Sequence, residues 1–292
     1  MVAVFYAVAT LLGAPHVDAR IGGFSQPCGI TSSPTALYAD SYATGVLSRI
    51  DPQTNAVVAH RTVATAPCGL AYGAGSVWVE DYRANSIVRV QPQTLKVQKR
   101  IVVGRLPWDV NFGFGAVWAT NQQSSTVSRI DPKTNRVVKT IRVPGGPTCI
   151  RSGAGAIWVG LQFSNQIARI DPRTNRVRAI GVGHASELCV DPHADGVWVS
   201  DDQANTVTHL DPSGRIVATV KVGTNPADAT RGPDGLEWIP NLKDGTFTRI
   251  DPATDTVVDT IPASPSPFVA RTAFGSVWVG DFKGTELYRL TP

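Results

Sequence analysis

The stretch SRIDPKTNRVVKTIRV at residues 128–143 returns one repeat later as ARIDPRTNRVRAI at residues 168–180. Self-similarity at a fixed period of about 20 to 50 residues indicates a solenoid, a propeller or an array. The proline of this motif recurs every 40 residues without insertion or deletion, at Pro52, Pro92, Pro132, Pro172, Pro212, Pro252 and Pro292. The chain therefore consists of seven copies of one unit.

An aromatic column, independent of the proline, has the same period. It holds Tyr38, Trp78, Trp118, Trp158, Trp198, Trp238 and Trp278. The repeat thus accounts for six of the seven tryptophans, and only Trp108 is left without a place in it.

The pattern inside one repeat is that of β-structure. Residues 116–119, 126–130 and 136–141 are short runs rich in β-branched and aromatic residues, bounded by Gly, Pro, Asn and Asp. A fourth run surrounds Cys149 and Ile150. The D-P-x-T-N segment predicts a turn, because proline fixes φ and Asp and Asn side chains bond to the local backbone. Each repeat is therefore expected to form four antiparallel strands.

The two ends of the chain favour a closed ring over a solenoid, which would need polar capping repeats. The last repeat stops at Pro292, where its fourth strand should begin, and residues 17–21 stand in the phase of residues 137–141. We therefore predict an all-β, seven-bladed β-propeller over residues 15–292, in which the N-terminal strand completes the last blade.

Residues 1–14, MVAVFYAVATLLGA, form an apolar run too short to span a bilayer. The run is similar to the apolar region of a secretory signal, although the usual positive segment before it is absent. We expect a secreted or cell-envelope protein without a transmembrane span; the alternative is an apolar tail on a cytosolic protein. The formal net charge is +4, and much of the basic count is one arginine per repeat. We therefore expect no nucleic-acid partner, and a monomer.

The four cysteines form two pairs, Cys28 with Cys68 and Cys149 with Cys189, each one repeat apart. Export would allow disulfides, but equivalent strands of neighbouring blades approach the upper bridging distance of about 7 Å. The alternative is four small buried hydrophobic residues. No C-x-x-C motif or His/Cys cluster at zinc spacing occurs, so we expect no metal ion.

The repeat, with Gly115-Ala116-Val117-Trp118 followed by the R-I-D-P-x-T-N turn, resembles the YVTN-type propellers and the repeats of the virginiamycin B lyase family. That resemblance implies a magnesium-dependent C–O lyase that opens cyclic streptogramin antibiotics. It implies a glutamate after the tryptophan strand, where Glu80 stands, and a histidine at the start of an inner strand.

The histidine column departs from the family pattern, since it reads Cys28, Cys68, Trp108, Thr148, Leu188, Asp228 and Phe268. General acid–base chemistry needs a titratable group at that point. We therefore assign no catalytic residue, with Glu80 the candidate only if the chain is a lyase, and we expect no cofactor, with magnesium again only in that case.

The loops on one face of a propeller lead into the inner strands, whereas the G-x-G and D-P-x-T-N turns share the opposite face. The turns are expected to be uniform across the repeats and the loops to vary, so the binding site is expected on the loop face. The candidate residues are Asp40, Tyr42, Glu80, Asp81, Tyr82, Trp108, Asp109, Arg151, Asp228, Arg231 and Arg271.

A small molecule, a glycan or a protein is the expected partner at this face, without catalysis. Trp108 has two interpretations. It either packs beneath a loop of a neighbouring blade or forms an aromatic wall against which a ligand stacks.

Overall fold

The computed structural model describes residues 14–183 and 188–292. It contains β1 (His16–Gly22), followed by six blades of four strands and a last group of three. Blade one comprises β2 (Ile30–Ser32), β3 (Leu37–Ser41), β4 (Val46–Asp51) and β5 (Ala56–Thr62); blade two β6 (Leu70–Gly73), β7 (Ser76–Asp81), β8 (Ser86–Val90) and β9 (Val97–Val102); blade three β10 (Pro107–Gly113), β11 (Ala116–Asn121), β12 (Thr126–Asp131) and β13 (Arg136–Arg142). Blade four comprises β14 (Pro147–Gly153), β15 (Ala156–Leu161), β16 (Gln166–Ile170) and β17 (Val177–Gly181); blade five β18 (Leu188–Pro192), β19 (Val197–Asp201), β20 (Thr206–Leu210) and β21 (Ile216–Lys221); blade six β22 (Thr230–Arg231), β23 (Glu237–Asn241), β24 (Thr246–Asp251) and β25 (Thr256–Pro262); blade seven begins with β26 (Pro267–Ala273), β27 (Ser276–Asp281) and β28 (Glu286–Thr291).

Every blade is a four-stranded antiparallel sheet, and the seventh is shared between the two ends of the chain. Its strand order is β1-β28-β27-β26, with Ile21 of β1 opposite Leu287 of β28. Ile21 is buried beside Trp278 and Leu287 in one apolar cluster. The predicted seven-bladed propeller and its closure by the N-terminal strand are thus confirmed.

The apolar segment expected to direct export lies, apart from Ala14, outside the described residues. Within residues 14–183 and 188–292, no helix has the length and apolar character needed to cross a membrane.

The core consists of the layers between neighbouring blades. Trp118 of blade three, for example, is fully buried against Ile157 and Val159 of blade four. Because each blade buries one face on the blade before it and one on the blade after it, no repeat has a core of its own.

At several contacts between neighbouring blades, an arginine of one blade bonds to a turn of the next blade, and we call this contact the latch. The guanidinium of Arg129 lies 4.9 Å from the ring centre of Trp118. Its Nη1 donates to the carbonyl oxygen of Pro172 (2.9 Å) and to Oδ1 of Asn175 (3.1 Å) in the next blade. Asn175 has φ = 59°, a left-handed conformation that asparagine tolerates well. The repeated R-I-D-P-x-T-N motif therefore supplies both halves of one contact between blades.

The same latch closes the ring, since Arg289 of blade seven donates to the carbonyl oxygen of Pro52 (3.0 Å) and to Oδ1 of Asn55 (3.1 Å) in blade one. Blade four differs. Arg169 faces a turn in which Ser213 and Gly214 replace the threonine and asparagine, and its buried Nε has no hydrogen-bond partner in the described structure.

This difference provides a matched pair of variants. Arg129→Met should lower the free energy of unfolding by about 2 kcal/mol, because it removes two charge-assisted hydrogen bonds and a cation–π contact. Arg169→Met should cost clearly less, since Arg169 lacks those two bonds. Urea denaturation of both variants measures the difference. Equal losses would show that the bonds to the next blade add nothing to the stacking on tryptophan.

Candidate functional site

The inner strands β2, β6, β10, β14, β18, β22 and β26 enclose a pocket on the axis of the ring, which we call the central pocket. Its volume is about 60 Å³. The lining residues are Cys28, Gly29, Ile30, Cys68, Leu70, Trp108, Asp109, Thr148, Cys149, Arg151, Cys189, Ala227, Asp228, Phe268, Val269 and Arg271. Most of them stand in the first half of an inner strand or just before it. Because the chain enters each inner strand from the loop face, the pocket lies at that end of the axis.

Two disulfides form part of the pocket wall. Cys28 is bonded to Cys68 and Cys149 to Cys189, with Cα–Cα distances of 4.7 and 5.1 Å. The expectation that these positions approach the upper limit for bridging was wrong, because the inner strands converge towards the axis. Each bond therefore joins the inner strands of two neighbouring blades beside the pocket.

Aromatic rings stand on two sides of the pocket. Trp108 is half-buried, and the edge of Tyr82 meets its ring at a centroid distance of 5.8 Å. On another side of the propeller axis, the ring centre of Phe268 lies 4.8 Å from that of Phe282, which in turn lies 6.3 Å from that of Tyr42. Trp108 thus contacts the neighbouring blade and also lines the pocket. Which of these two contacts accounts for its presence stays a prediction.

Two aspartate–arginine pairs supply the charges of the pocket. Oδ2 of Asp109 accepts hydrogen bonds from the Ile150 amide (3.1 Å) and from the Arg151 guanidinium. Oδ2 of Asp228 accepts hydrogen bonds from the Ala270 amide (3.2 Å) and from the guanidinium of Arg271 (2.6 Å). Each pair crosses from one blade to the next, so the two guanidiniums are held in place by backbone-anchored carboxylates.

The carboxyl group of Asp228 titrates near neutral pH. Burial raises the pKa of its carboxyl group to about 7, although Arg151 and the amides of Ala229 and Ala270 act in the opposite direction. Its Oδ1 lies 3.0 Å from Sγ of Cys189, a disulfide sulfur that carries no proton. The pocket therefore gains negative charge as the pH rises through 7.

Asp40 and Glu80 are fully buried and stand behind the pocket wall. Oδ1 of Asp40 accepts hydrogen bonds from the amides of Cys28 (3.2 Å) and Gly29 (2.9 Å). Oε2 of Glu80 does the same for Cys68 (3.0 Å) and Gly69 (3.4 Å). These side chains therefore hold the beginnings of two inner strands in place.

The second oxygen of each of these carboxylates, Oδ2 of Asp40 and Oε1 of Glu80, is buried without a hydrogen-bond partner. Burial raises the pKa of both groups well above their ordinary values. Both are consequently expected to hold a proton at pH values where an exposed carboxyl group is ionised.

The central pocket brings together five of the predicted residues: Trp108, Asp109, Arg151, Asp228 and Arg271. Tyr42 and Tyr82 belong to the aromatic pairs beside it. Asp81 has a different environment, since its Oδ1 accepts a hydrogen bond from the Thr65 amide at 3.0 Å.

Arg231 is not part of the lining of the central pocket, because its guanidinium bonds to Glu237 and Asp195 instead. Phe268 was not selected from the sequence, although it stands in the same column of the repeat as Trp108.

The chain is similar in structure to several solved propellers. A streptogramin B lyase matches with a TM-score of 0.83 and 17% identity, over 95% of this chain and 97% of that one. A catalytically inactive histidine-to-alanine variant of virginiamycin B lyase from Staphylococcus aureus, solved with quinupristin, gives 0.82 and 17%, over 95% and 99%. Hydrazine synthase from Kuenenia stuttgartiensis gives 0.84 and 15%, over 99% of each chain.

At these identities the likeness establishes the fold alone. No protein-family model and no curated protein matches the sequence.

The pKa of Asp228 predicts how stability depends on pH. In the unfolded chain its carboxyl group ionises near pH 4, whereas in the folded protein it holds its proton to about pH 7. Folding therefore takes up a proton between these values, and this group makes the free energy of unfolding fall as pH rises, by at most about 1.4 kcal/mol per pH unit. Asp228→Asn should make the measured decline shallower between about pH 5 and pH 7. Urea denaturation at several pH values tests this, and parallel curves for the two proteins would contradict it.

Proposed function

We propose that this chain is a binding module whose central pocket holds a small ligand by an acidic group, with a planar apolar part of the ligand against Trp108 and Phe268. The observation that carries the proposal is the convergence of two guanidiniums, Arg151 and Arg271, on a narrow cavity with aromatic walls. Such a combination of apolar walls with a few oriented polar groups is typical of small-molecule sites.

The charges favour an anionic group over a neutral one. Both arginines are charged at any physiological pH. Asp109 balances one of them, whereas Asp228 balances the other only when it is ionised, which burial opposes below about pH 7. A ligand carboxylate would replace that missing negative charge beside Arg271, and the planar guanidinium offers it two parallel donors.

The size of the cavity limits what enters it. A volume of about 60 Å³ is several times what one water molecule needs, so a carboxylate group fits inside. The rest of the ligand then lies at the mouth, beside Trp108 and Phe268, which stand nearer the loop face along their strands than Arg151 and Arg271. This narrow shape supports a small molecule more than a glycan or a protein.

The setting of the proposed module is the cell exterior or envelope. Two observations support it: the apolar run at residues 1–14, and two disulfides, which persist in oxidising compartments and are rare in the cytosol. A monomer is sufficient for this function, because all the lining residues come from one chain.

Phenylacetate and its neutral analogue phenylacetamide test the proposal. Isothermal titration should show phenylacetate binding at least about tenfold more tightly, a difference of about 1.4 kcal/mol. Arg271→Gln should remove this preference, and Trp108→Ala should weaken both probes. Phe163→Ala is the matched control, because Phe163 is 71% exposed on the same face but lies outside the pocket. Equal affinities for the two probes, or binding that Arg271→Gln leaves unchanged, would contradict the proposal.

A lyase of the streptogramin type is the second candidate, supported by the shared fold and by Glu80 at the expected position. The residues present do not fit its magnesium ion. The two carboxylates that reach the pocket, Asp109 and Asp228, are each bonded to an arginine, and Asp40 and Glu80 are bonded to backbone amides. The part of the pocket wall that the structure describes contains no histidine.

Quinupristin distinguishes the two candidates. The protein incubated with quinupristin and magnesium chloride should leave the antibiotic intact, as judged by mass spectrometry, because the described pocket wall has no histidine and its two carboxylates are bonded to arginines instead of being free to hold the magnesium ion. Linearised product that disappears in Glu80→Gln would establish the lyase instead.

A further inference from the structure

The turn face departs from the repeat at the contact between blades five and six. The G-x-G turn of blades two, three and four reads Gly73-x-Gly75, Gly113-x-Gly115 and Gly153-x-Gly155. In blade five the two glycines are replaced by His193 and Asp195. The expectation that this face is uniform is therefore wrong at this point.

A second departure faces the first from blade six. The residue just before the repeated aromatic residue of the second strand is aliphatic and fully buried in every other blade, as Leu37, Val77, Val117, Ile157, Val197 and Val277. In blade six it is Glu237, which is also fully buried. An isolated carboxylate buried in place of an aliphatic side chain is destabilising by several kcal/mol unless it is protonated or compensated by a partner.

The departures converge on one group of side chains, which we call the turn-face cluster: Asp191, His193, Asp195, Arg231 and Glu237. His193 Nε2 lies 2.7 Å from Asp191 Oδ2 and 3.7 Å from Glu237 Oε2. Arg231 donates from Nε to Glu237 Oε2 (2.9 Å) and from Nη1 to Asp195 Oδ2 (3.2 Å). Two neighbouring blades thus supply an imidazole and three carboxylates to one point.

The fold makes room for the imidazole. In blades two, three and four a Cβ at the first glycine of the turn would press on the next blade, at Phe112, Ser152 and Pro192 respectively. The position that corresponds to these three residues in blade six is Gly232. At this equivalent position, blade six therefore has no side chain that would oppose His193.

The cluster has an unused ligand atom and an excess of negative charge. Oε1 of Glu237 is buried without a hydrogen-bond partner. Burial and the nearby Asp191 raise the pKa of Glu237, so a cation has to displace its proton; with all three carboxylates then ionised and His193 neutral, the three acidic residues and Arg231 sum to a charge of −2. One divalent cation would neutralise it.

From this geometry we propose that Asp191, His193 and Glu237 bind a divalent transition-metal ion, of which zinc fits best. One ligand atom from each residue lies within 4.8 Å of the others. A tetrahedral zinc site needs its ligand atoms about 3.4 Å apart. His193 Nε2 now lies 3.7 Å from Glu237 Oε2, the oxygen that also accepts a hydrogen bond from Arg231. Binding the ion replaces the hydrogen bond between His193 and Asp191 by two metal bonds.

The ligand set excludes magnesium as the preferred ion, because magnesium takes oxygen ligands and an imidazole nitrogen suits zinc. His193 and Asp191 are partly exposed, at 27% and 18% of their side-chain surface, so the ion reaches the site from solvent. A water molecule then completes the fourth position. The site lies on the turn face, and none of its three ligand residues lines the central pocket.

Titration of zinc chloride into the untagged, chelator-treated full chain tests the proposal, with magnesium chloride as the control cation. Isothermal titration at about pH 7.5 should show one zinc ion per chain, and far weaker binding of magnesium. Glu237→Val, which restores the residue type of the other blades, should lower zinc affinity by at least about 30-fold while the protein keeps its circular dichroism spectrum.

His193→Ala provides a second variant in case Glu237→Val does not fold, since alanine stands at the same position of blade seven, as Ala273. His209→Gln is the matched control, because His209 makes an equally short contact with Asp255 (2.7 Å) but has no second carboxylate. An anomalous difference peak between Asp191, His193 and Glu237 in zinc-soaked crystals would support the site. Absence of zinc binding up to about 1 mM, unchanged affinity in His193→Ala, equal affinity for magnesium, or a peak elsewhere would each overturn it.

Discussion

In five of the seven blades that the structure describes, an arginine packs on the tryptophan of the same blade, and three of these arginines also bond to the turn of the next blade. Arg89, Arg129 and Arg289 all make this contact, and the last of them joins the end of the ring to its beginning. Because each sheet buries both faces on its neighbours, the angle between blades decides where every inner strand lies. The arginine contacts tie neighbouring blades together on the turn face at three points, and the inner strands converge on the axis.

The convergence of the inner strands explains which side chains meet on the axis of the propeller. It brings Cys28 within bonding distance of Cys68 and Cys149 within bonding distance of Cys189, and it lets aspartates of one blade bond to the amides and arginines of the next. Asp40 and Glu80 replace part of the strand ladder by accepting hydrogen bonds from backbone amides at the strand beginnings. A pocket built this way is preorganised, since its charged groups are already oriented before a ligand arrives.

The sequence predicted the fold well because a 40-residue period without insertions leaves a single register for blades and closure. Trp108, Asp109 and Arg151 were also predictable, since they break the pattern of the repeat. The hydrogen-bond partners of Arg231 were not predictable, because Arg231 stands at the same position of the repeat as Arg151 and Arg271. Unlike those two arginines, it bonds to Glu237 and Asp195.

The spacing of the cysteines in the sequence does not reveal how far apart the inner strands lie. The raised pKa of Asp228 depends on burial, which no local sequence pattern reveals. The turn-face cluster was not predicted, because the turns were expected to be uniform across the repeats. His193 and Glu237 nevertheless depart from the repeat as clearly as Trp108 does.

A crystal structure of the protein purified without ligand removal shows whether the positions that break the repeat on the axis form a ligand site. We expect electron density larger than water in the central pocket, with an acidic group at Arg151 or Arg271 and a planar part against Trp108. A central pocket filled by ordered water alone, with a bound molecule at another surface of the ring, would contradict it.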